Sequence, residues 1–153
     1  PAPPGCAPVR YLHQHDSGEV VELLQAEVVR AQQGFGRAPF EQVLRDYDAV
    51  LGTLQIGCVM EFPGYAGYGR KFPEFWIQLP HDQRQASVGN GVHVAFLAQS
   101  VEEVQAFHAR ALALGGQDEG APGFRKEYSD NYYAAFVRDP DGNKIEAMLM
   151  VPG

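Results

Sequence analysis

Apolar positions along this chain fall into two kinds of run, one with helical spacing and one with strand alternation. Residues 1–12 hold Pro1, Pro3, Pro4 and Pro8 and read as a loose arm, with Val9 to His13 able to form a short strand. Val20, Val21, Leu24, Val28 and Ala31 then recur at helical intervals, behind Asp16 and Glu19 in capping-box positions and ahead of Gly34. That pattern predicts a helix over 17–32. GFGRAP (34–39) breaks it, and Phe40, Val43, Leu44, Tyr47 and Leu51 form a second helical stripe that Gly52 ends. The period then changes. Ile56 to Phe62 reads as a strand, and PGYAGYGR (63–70) as a turn leading into a short strand or loop. PEFWIQLP (73–80) is a bounded apolar strand, with Trp76 and Gln78 on one face and Phe75 and Ile77 on the other.

HDQRQASVGN (81–90) is polar and aperiodic, a linker between halves. Beyond it Val92 to Leu97 is a strand. Ser100 and Glu103 make a capping box for a helix whose apolar stripe is Val101, Val104, Phe107, Ala111 and Leu114, closed by Gly115 and Gly116. GAPGF (120–124) reads as a tight loop and Tyr132 to Val137 as a strand. In Asp139-Pro140-Asp141-Gly142, proline presets φ and glycine accepts φ > 0, so a turn returns the chain as an antiparallel strand over Lys144 to Val151. Each half therefore has an amphipathic helix ended by glycine and then three strand-like runs: an α+β chain built from a βαβββ unit used twice. The second unit shows its leading strand, VHVAFL. The first does not, because RAQQGFGR (30–37) is a poor strand. The predicted organisation is an N-terminal arm and extra helix (1–38), a first module (39–80), the linker (81–90) and a second module (91–153).

Composition narrows the function classes. Hydrophobic residues are 45% and charged residues 20% of the chain, ordinary for a globular protein. No apolar run approaches the ~20 residues that cross a bilayer, so no membrane partner is expected. PAPPGCAPVR lacks the apolar centre of a signal peptide. The net charge of -7 repels a phosphate backbone, which argues against nucleic acid, and attracts a cationic small molecule. Cys6 and Cys58 have no zinc-type spacing and read as reduced thiols in a cytoplasmic protein.

GVHVAF (91–96), GAPGFRKEY (120–128) and YYAAFVRDPDGNKIEAM (132–148), with YDAVL (47–51) and EFWIQLP (74–80) in the first half, resemble the glyoxalase/bleomycin-resistance/dioxygenase (vicinal oxygen chelate) superfamily. The resemblance covers about 40–151. It implies two βαβββ modules whose strands form an incomplete barrel around a cavity, and a tendency to homodimerise. It also implies metal ligands on the first and last strands of each module. His93 and Glu146 occupy those positions in module two, and would suit one divalent metal such as Fe, Mn, Ni, Co or Zn. The activity implied is that of a lyase, isomerase or dioxygenase acting on a small oxygen-rich molecule, with Glu146 also serving as a base. Module one departs from the pattern, with Trp76 where a carboxylate would sit and Gln32 where a histidine would. His13 and His15 are the other imidazoles that could complete a ligand set. That departure equally suits a metal-free binding protein of the bleomycin-resistance kind, with no cofactor and a cavity walled by Trp76 and tyrosines.

Each candidate also has a plain structural role. His93 can be a hydrogen-bonded core histidine. A carboxylate within IEAMLM is costly to bury without a partner, so Glu146 must pair with Arg125, Lys126 or His93 if it does not hold a metal. Trp76 is core or pocket wall, and Gln78 shares its face. Arg125 either holds an anionic group or is a solvated loop arginine. Tyr128, Tyr132 and Tyr133 pack on a sheet, with one reaching the cavity. His108 is expected to face solvent and His81 to sit in the linker. GYGR (67–70) has no strand-to-helix context for a phosphate loop. No Ser sits in a Gly-x-Ser-x-Gly elbow, which leaves nucleophilic catalysis without support.

Overall fold

A computed structural model of the chain describes residues 40–84 and 86–153 in full, together with the strand backbones of Leu12–Gln14 and Val20–Glu22. These two short strands, β1 (Leu12–Gln14) and β2 (Val20–Glu22), pair antiparallel. β1 overlaps the short strand expected at 9–13. The helix expected over 17–32 is corrected at 20–22, which are extended. Adjacent Val20 and Val21 are β-branched and suit a strand as readily as a helix. The rest of that prediction, and Gln32 and His15, lie outside the described residues.

Helix α1 (Phe40–Gly52) forms where the stripe predicts it, burying Phe40, Val43, Tyr47, Val50 and Leu51. It packs on the first sheet, of order β3 (Gly57–Phe62), β4 (Tyr65–Gly69), β5 (Phe75–Gln78), all antiparallel. The second half is a full βαβββ unit: β6 (His93–Leu97), α2 (Val101–Ala113), β7 (Gln117–Phe124), β8 (Tyr132–Arg138) and β9 (Lys144–Met150). Its sheet runs β6-β9-β8-β7, with β6 parallel to β9. At the start of α2, Ser100 Oγ accepts from the Glu103 amide at 3.2 Å, and the Glu103 carboxylate accepts from the Gln99 amide at 2.7 Å. The capping box thus closes one residue earlier than its usual reciprocal bond.

GAPGF is not a loop. It ends the eight-residue β7, whose pairing with β8 shifts register between Asp118 and Gly120 and again between Gly120 and Gly123. An edge strand tolerates Pro122 and glycine bulges, and this one uses both. His108 is also corrected. It is 9% exposed, and its Nε2 lies 2.9 Å from Asp118 Oδ1, so it ties α2 to β7.

One apolar core joins the halves. Phe75 of the first sheet meets Phe96 of β6 edge-on at 5.1 Å, among the buried Leu51, Ile77, Val104 and Phe107. Because α1 and α2 cover one face of each sheet, strand alternation leaves the opposite faces for other work. Trp76 and Gln78 are half-buried on that face of β5. His93, Glu146 and Phe136 stand on it in the second sheet.

Candidate functional site

The register of the second sheet assembles the site. The turn over Asp139–Gly142 sets Arg138 opposite Lys144, and the antiparallel ladder then sets Phe136 opposite Glu146 and Tyr132 opposite Met150. The parallel ladder sets His93 opposite Lys144 and Ala95 opposite Glu146. With a side-chain period of two, His93, Lys144, Glu146, Phe136 and Tyr132 all share one face.

Glu146 is 3% exposed. A carboxylate so buried requires partners for both oxygens. Tyr132 Oη donates to Oε1 at 2.7 Å, and His93 Nε2 lies 2.9 Å from Oε2. Of the three partners considered from the sequence, His93 is therefore the one used. Burial first, and then the bond to the Glu146 carboxylate, push the Tyr132 phenol well above the usual tyrosine range. It remains a neutral donor. The His93 side chain is 37% exposed, so the buried carboxylate orients an accessible ring. In the neutral tautomer that donates from Nε2, the lone pair sits on Nδ1.

Phe136 is the floor beside this group. His93 lies tilted against its ring at 5.8 Å, the Lys144 ammonium stands over it at 5.2 Å and the Arg125 guanidinium at 5.3 Å. One hollow is lined by His93 and another by Phe136. The first, about 370 Å³, runs beside β6 and is lined by His93 with Arg70, Glu74, Phe75 and Phe96. The other, about 610 Å³, opens over β7 and is lined by Arg125, Phe136, Lys144, Glu119 and Glu127.

The remaining sequence candidates are spread around the site. Tyr128 is exposed and stacks edge-on against Tyr132 at 5.4 Å. Trp76 and Gln78 lie on the other sheet, where Trp76 is 6.0 Å from Tyr65 and Tyr65 stacks on Phe62 at 4.9 Å. Neither lines the hollow at His93 or the one over β7. Phe136 and Lys144 were not singled out from sequence, and Tyr132 was given no specific role. The DPDG turn held the signal: once it fixes Arg138 against Lys144, the face that carries Glu146 must also carry Phe136 and Tyr132.

His93 and Glu146 are the right donor types for a divalent metal and stand close enough to share one. Tyr132 already takes one Glu146 oxygen, and among the described residues no group of three His, Cys, Asp or Glu side chains is placed to hold an ion. Trp76, at the matching position of the first half, offers no lone pair. The described residues therefore supply half of a ligand set, which does not by itself fit a catalytic metal.

A family model described as Glyoxalase/Bleomycin resistance protein/Dioxygenase superfamily matches residues 5–147. Among solved structures, the chain is similar to a glyoxalase/bleomycin resistance protein from Albidiferax ferrireducens T118. Identity is 38%, with 81% of this chain and 97% of that one covered, at a TM-score of 0.68. A glyoxalase/bleomycin resistance protein/dioxygenase family enzyme from Burkholderia phytofirmans PsJN shares the fold at 15% identity, with 86% and 100% covered and a TM-score of 0.61. A glyoxalase I mutant from Zea mays does so at 19% identity and a TM-score of 0.54, with 83% of this chain matching 45% of that one. No curated protein matches the chain. Among the described residues, no helix is long and apolar enough to cross a membrane.

Proposed function

Because the chain belongs to the Glyoxalase/Bleomycin resistance protein/Dioxygenase superfamily, we propose that it takes a small oxygen-rich molecule against the open face of its second sheet and acts on it as a lyase or isomerase, with His93 moving the proton. The observation that supports this is the Tyr132–Glu146–His93 chain of contacts at 2.7 and 2.9 Å. A buried carboxylate, held by a phenol, fixes the tautomer and direction of an exposed imidazole. That is how a general base is oriented. Glu146 acts through His93 in this reading. If a divalent metal is bound, it would be held by the same His93 and Glu146 and would polarise a substrate oxygen as a Lewis acid. Two protein donors leave that set incomplete. A homodimer belongs to the same reading, and sedimentation velocity tests it.

The test is deuterium exchange at carbon. The protein is incubated in D2O with a panel of small α-hydroxy and α-oxo carbonyl compounds, and loss of the adjacent C–H signal is followed by proton NMR. His93→Ala lowers the exchange rate by about 10²-fold or more. Undiminished exchange in that variant removes the proposed base. Elemental analysis of both proteins, purified without chelators, asks whether stoichiometric metal is present and is lost with His93.

A second reading, ligand sequestration of the bleomycin-resistance kind, is supported by the Phe62, Tyr65 and Trp76 row on the first sheet and by the net charge of -7. Aromatic faces and negative charge suit a cationic ligand. Tight binding of a cationic antibiotic, lost in Trp76→Ala and with no exchange chemistry, selects it.

A further inference from the structure

The hollow over β7 contains three cationic side chains in or beside it, and two are committed. Arg138 Nε binds Glu119 Oε1 at 2.6 Å, and Lys144 Nζ lies 3.5 Å from Glu119 Oε2. Arg125 differs. Its Nη2 donates to the Ala121 carbonyl at 2.6 Å, and among the described residues it makes no ion pair. The nearby Asp118 carboxylate is turned to His108 and to the Gly120 amide.

The guanidinium is also packed in place. It lies over Phe136 at 5.3 Å. A Cβ at Gly120 would come within 3.1 Å of Arg125 Nη2 and 2.9 Å of the Phe136 ring, and one at Gly123 within 3.2 Å of Nη1. The two glycines of Gly120-Ala121-Pro122-Gly123 thus leave the room that the fork occupies. A positioned guanidinium, planar by its own bonding and without an ion pair of its own among the described residues, matches the two oxygens of a carboxylate.

We propose that Arg125 is an oxyanion anchor and that the ligand of this site is a small carboxylic acid bearing further oxygens, held by its carboxylate at Arg125. Glu119 and Glu127 line the same hollow, which favours a monoanion over a phosphate dianion. Phe136 touches both Arg125, at 5.3 Å, and His93, at 5.8 Å, so a molecule held by its carboxylate at the arginine reaches the imidazole by extending along that ring. In naming the substrate's class, the inference rests on the proton-transfer reading above. The anion site itself is tested without turnover.

The full ¹⁵N-labelled chain is titrated with glycolate, and separately with inorganic phosphate, at ionic strength held constant with sodium chloride. Glycolate produces saturable shifts at the Arg125 Nε–H and at the Gly120 and Gly123 amides. Arg125→Lys weakens binding by about 10-fold or more, because an ammonium cannot pair bidentately. Arg125→Gln abolishes it while the remaining amide spectrum stays folded. Absence of saturation in the wild type, or binding unchanged in Arg125→Gln, overturns the site. Phosphate binding tighter than glycolate overturns the carboxylate class. Glycolate held at Arg125 in a protein that exchanges no C–H sinks the enzymatic reading and supports the anchor. Exchange confined to uncharged compounds, with no glycolate binding, does the reverse.

Discussion

The Tyr47 hydroxyl on α1 donates a 2.9 Å hydrogen bond to Asp139 Oδ2, at the turn between β8 and β9. Asp139 is 7% exposed, and it also accepts from the amides of Asp141 and Asn143 and from the Asn143 side chain. The first helix is thereby fastened to the turn that sets the register of the site. Tyr47→Phe keeps the ring and leaves a buried carboxylate short of one donor. The expected loss is about 1.5–3 kcal/mol in urea unfolding. A midpoint unchanged from wild type removes this bond from the list of contacts joining the halves.

Tyr132→Phe strips the donor from Glu146 Oε1 and leaves a buried acceptor open. The cost is about 1–3 kcal/mol. Added to Glu146→Gln, the same change costs less than it does alone, since the amide has lost the charge that needed the donor. Additive losses in a double-mutant cycle count against a direct coupling of the two side chains.

Asp118 is expected to set part of the acid limb. The bond from His108 first, and then the Gly120 amide, hold its carboxyl below the ordinary carboxylate range. A carboxyl depressed by folding adds stability that is complete above its unfolded value, about 3.9, and is lost as pH falls through the lower folded value. Asp118→Asn therefore differs from wild type by a constant amount above pH of about 4, and the gap narrows below it. A gap that stays constant through the acid range contradicts the pairing.

Tyr68 governs the alkaline limb. It is 0% exposed, and burial first, with Asp48 next, pushes its phenol far above the usual range. A tyrosine raised by folding contributes stability that is intact below its unfolded value, about 10, and disappears as pH rises through the folded one. Ultraviolet titration should show at least one of the seven tyrosines silent until the chain unfolds. Tyr132 is raised as well, so Tyr68→Phe should lower that late-ionising signal by one tyrosine and leave the Tyr132 share.

Gly69 permits a close chain crossing. A Cβ there would lie 1.8 Å from the Phe72 carbonyl oxygen, which is backbone and cannot swing aside. Gly69→Ala is expected to cost about 1–3 kcal/mol or more by thermal unfolding. Gly52→Ala, with open space around its Cβ, is the control.

Local chemistry made some of this legible from the chain alone. The stripe from Phe40, the Ser100–Glu103 cap and the DPDG turn each depend on residues within a few positions of one another, and each forms where expected. GAPGF misled because glycine and proline mark loops and bulged edge strands alike, and only pairing with β8 tells them apart. His108 misled because helical periodicity does not report that a carboxylate on the next strand, Asp118, comes within 2.9 Å of a polar-looking face. At Val20 and Val21, pairing with β1 overrides an apolar spacing that suited a helix.

The order of residues by itself settled the α+β class, the second βαβββ unit, and the placing of an imidazole and a carboxylate on its first and last strands, since periodicity and turn chemistry are short-range. Which atoms met was decided by long-range strand pairing. Tertiary structure joined Glu146 to His93 and Tyr132, laid Arg125 over Phe136 and kept Trp76 on the other sheet. A one-residue slip in any ladder would have turned those side chains to the opposite face, and no local pattern forbids that slip as firmly as the packed sheet does.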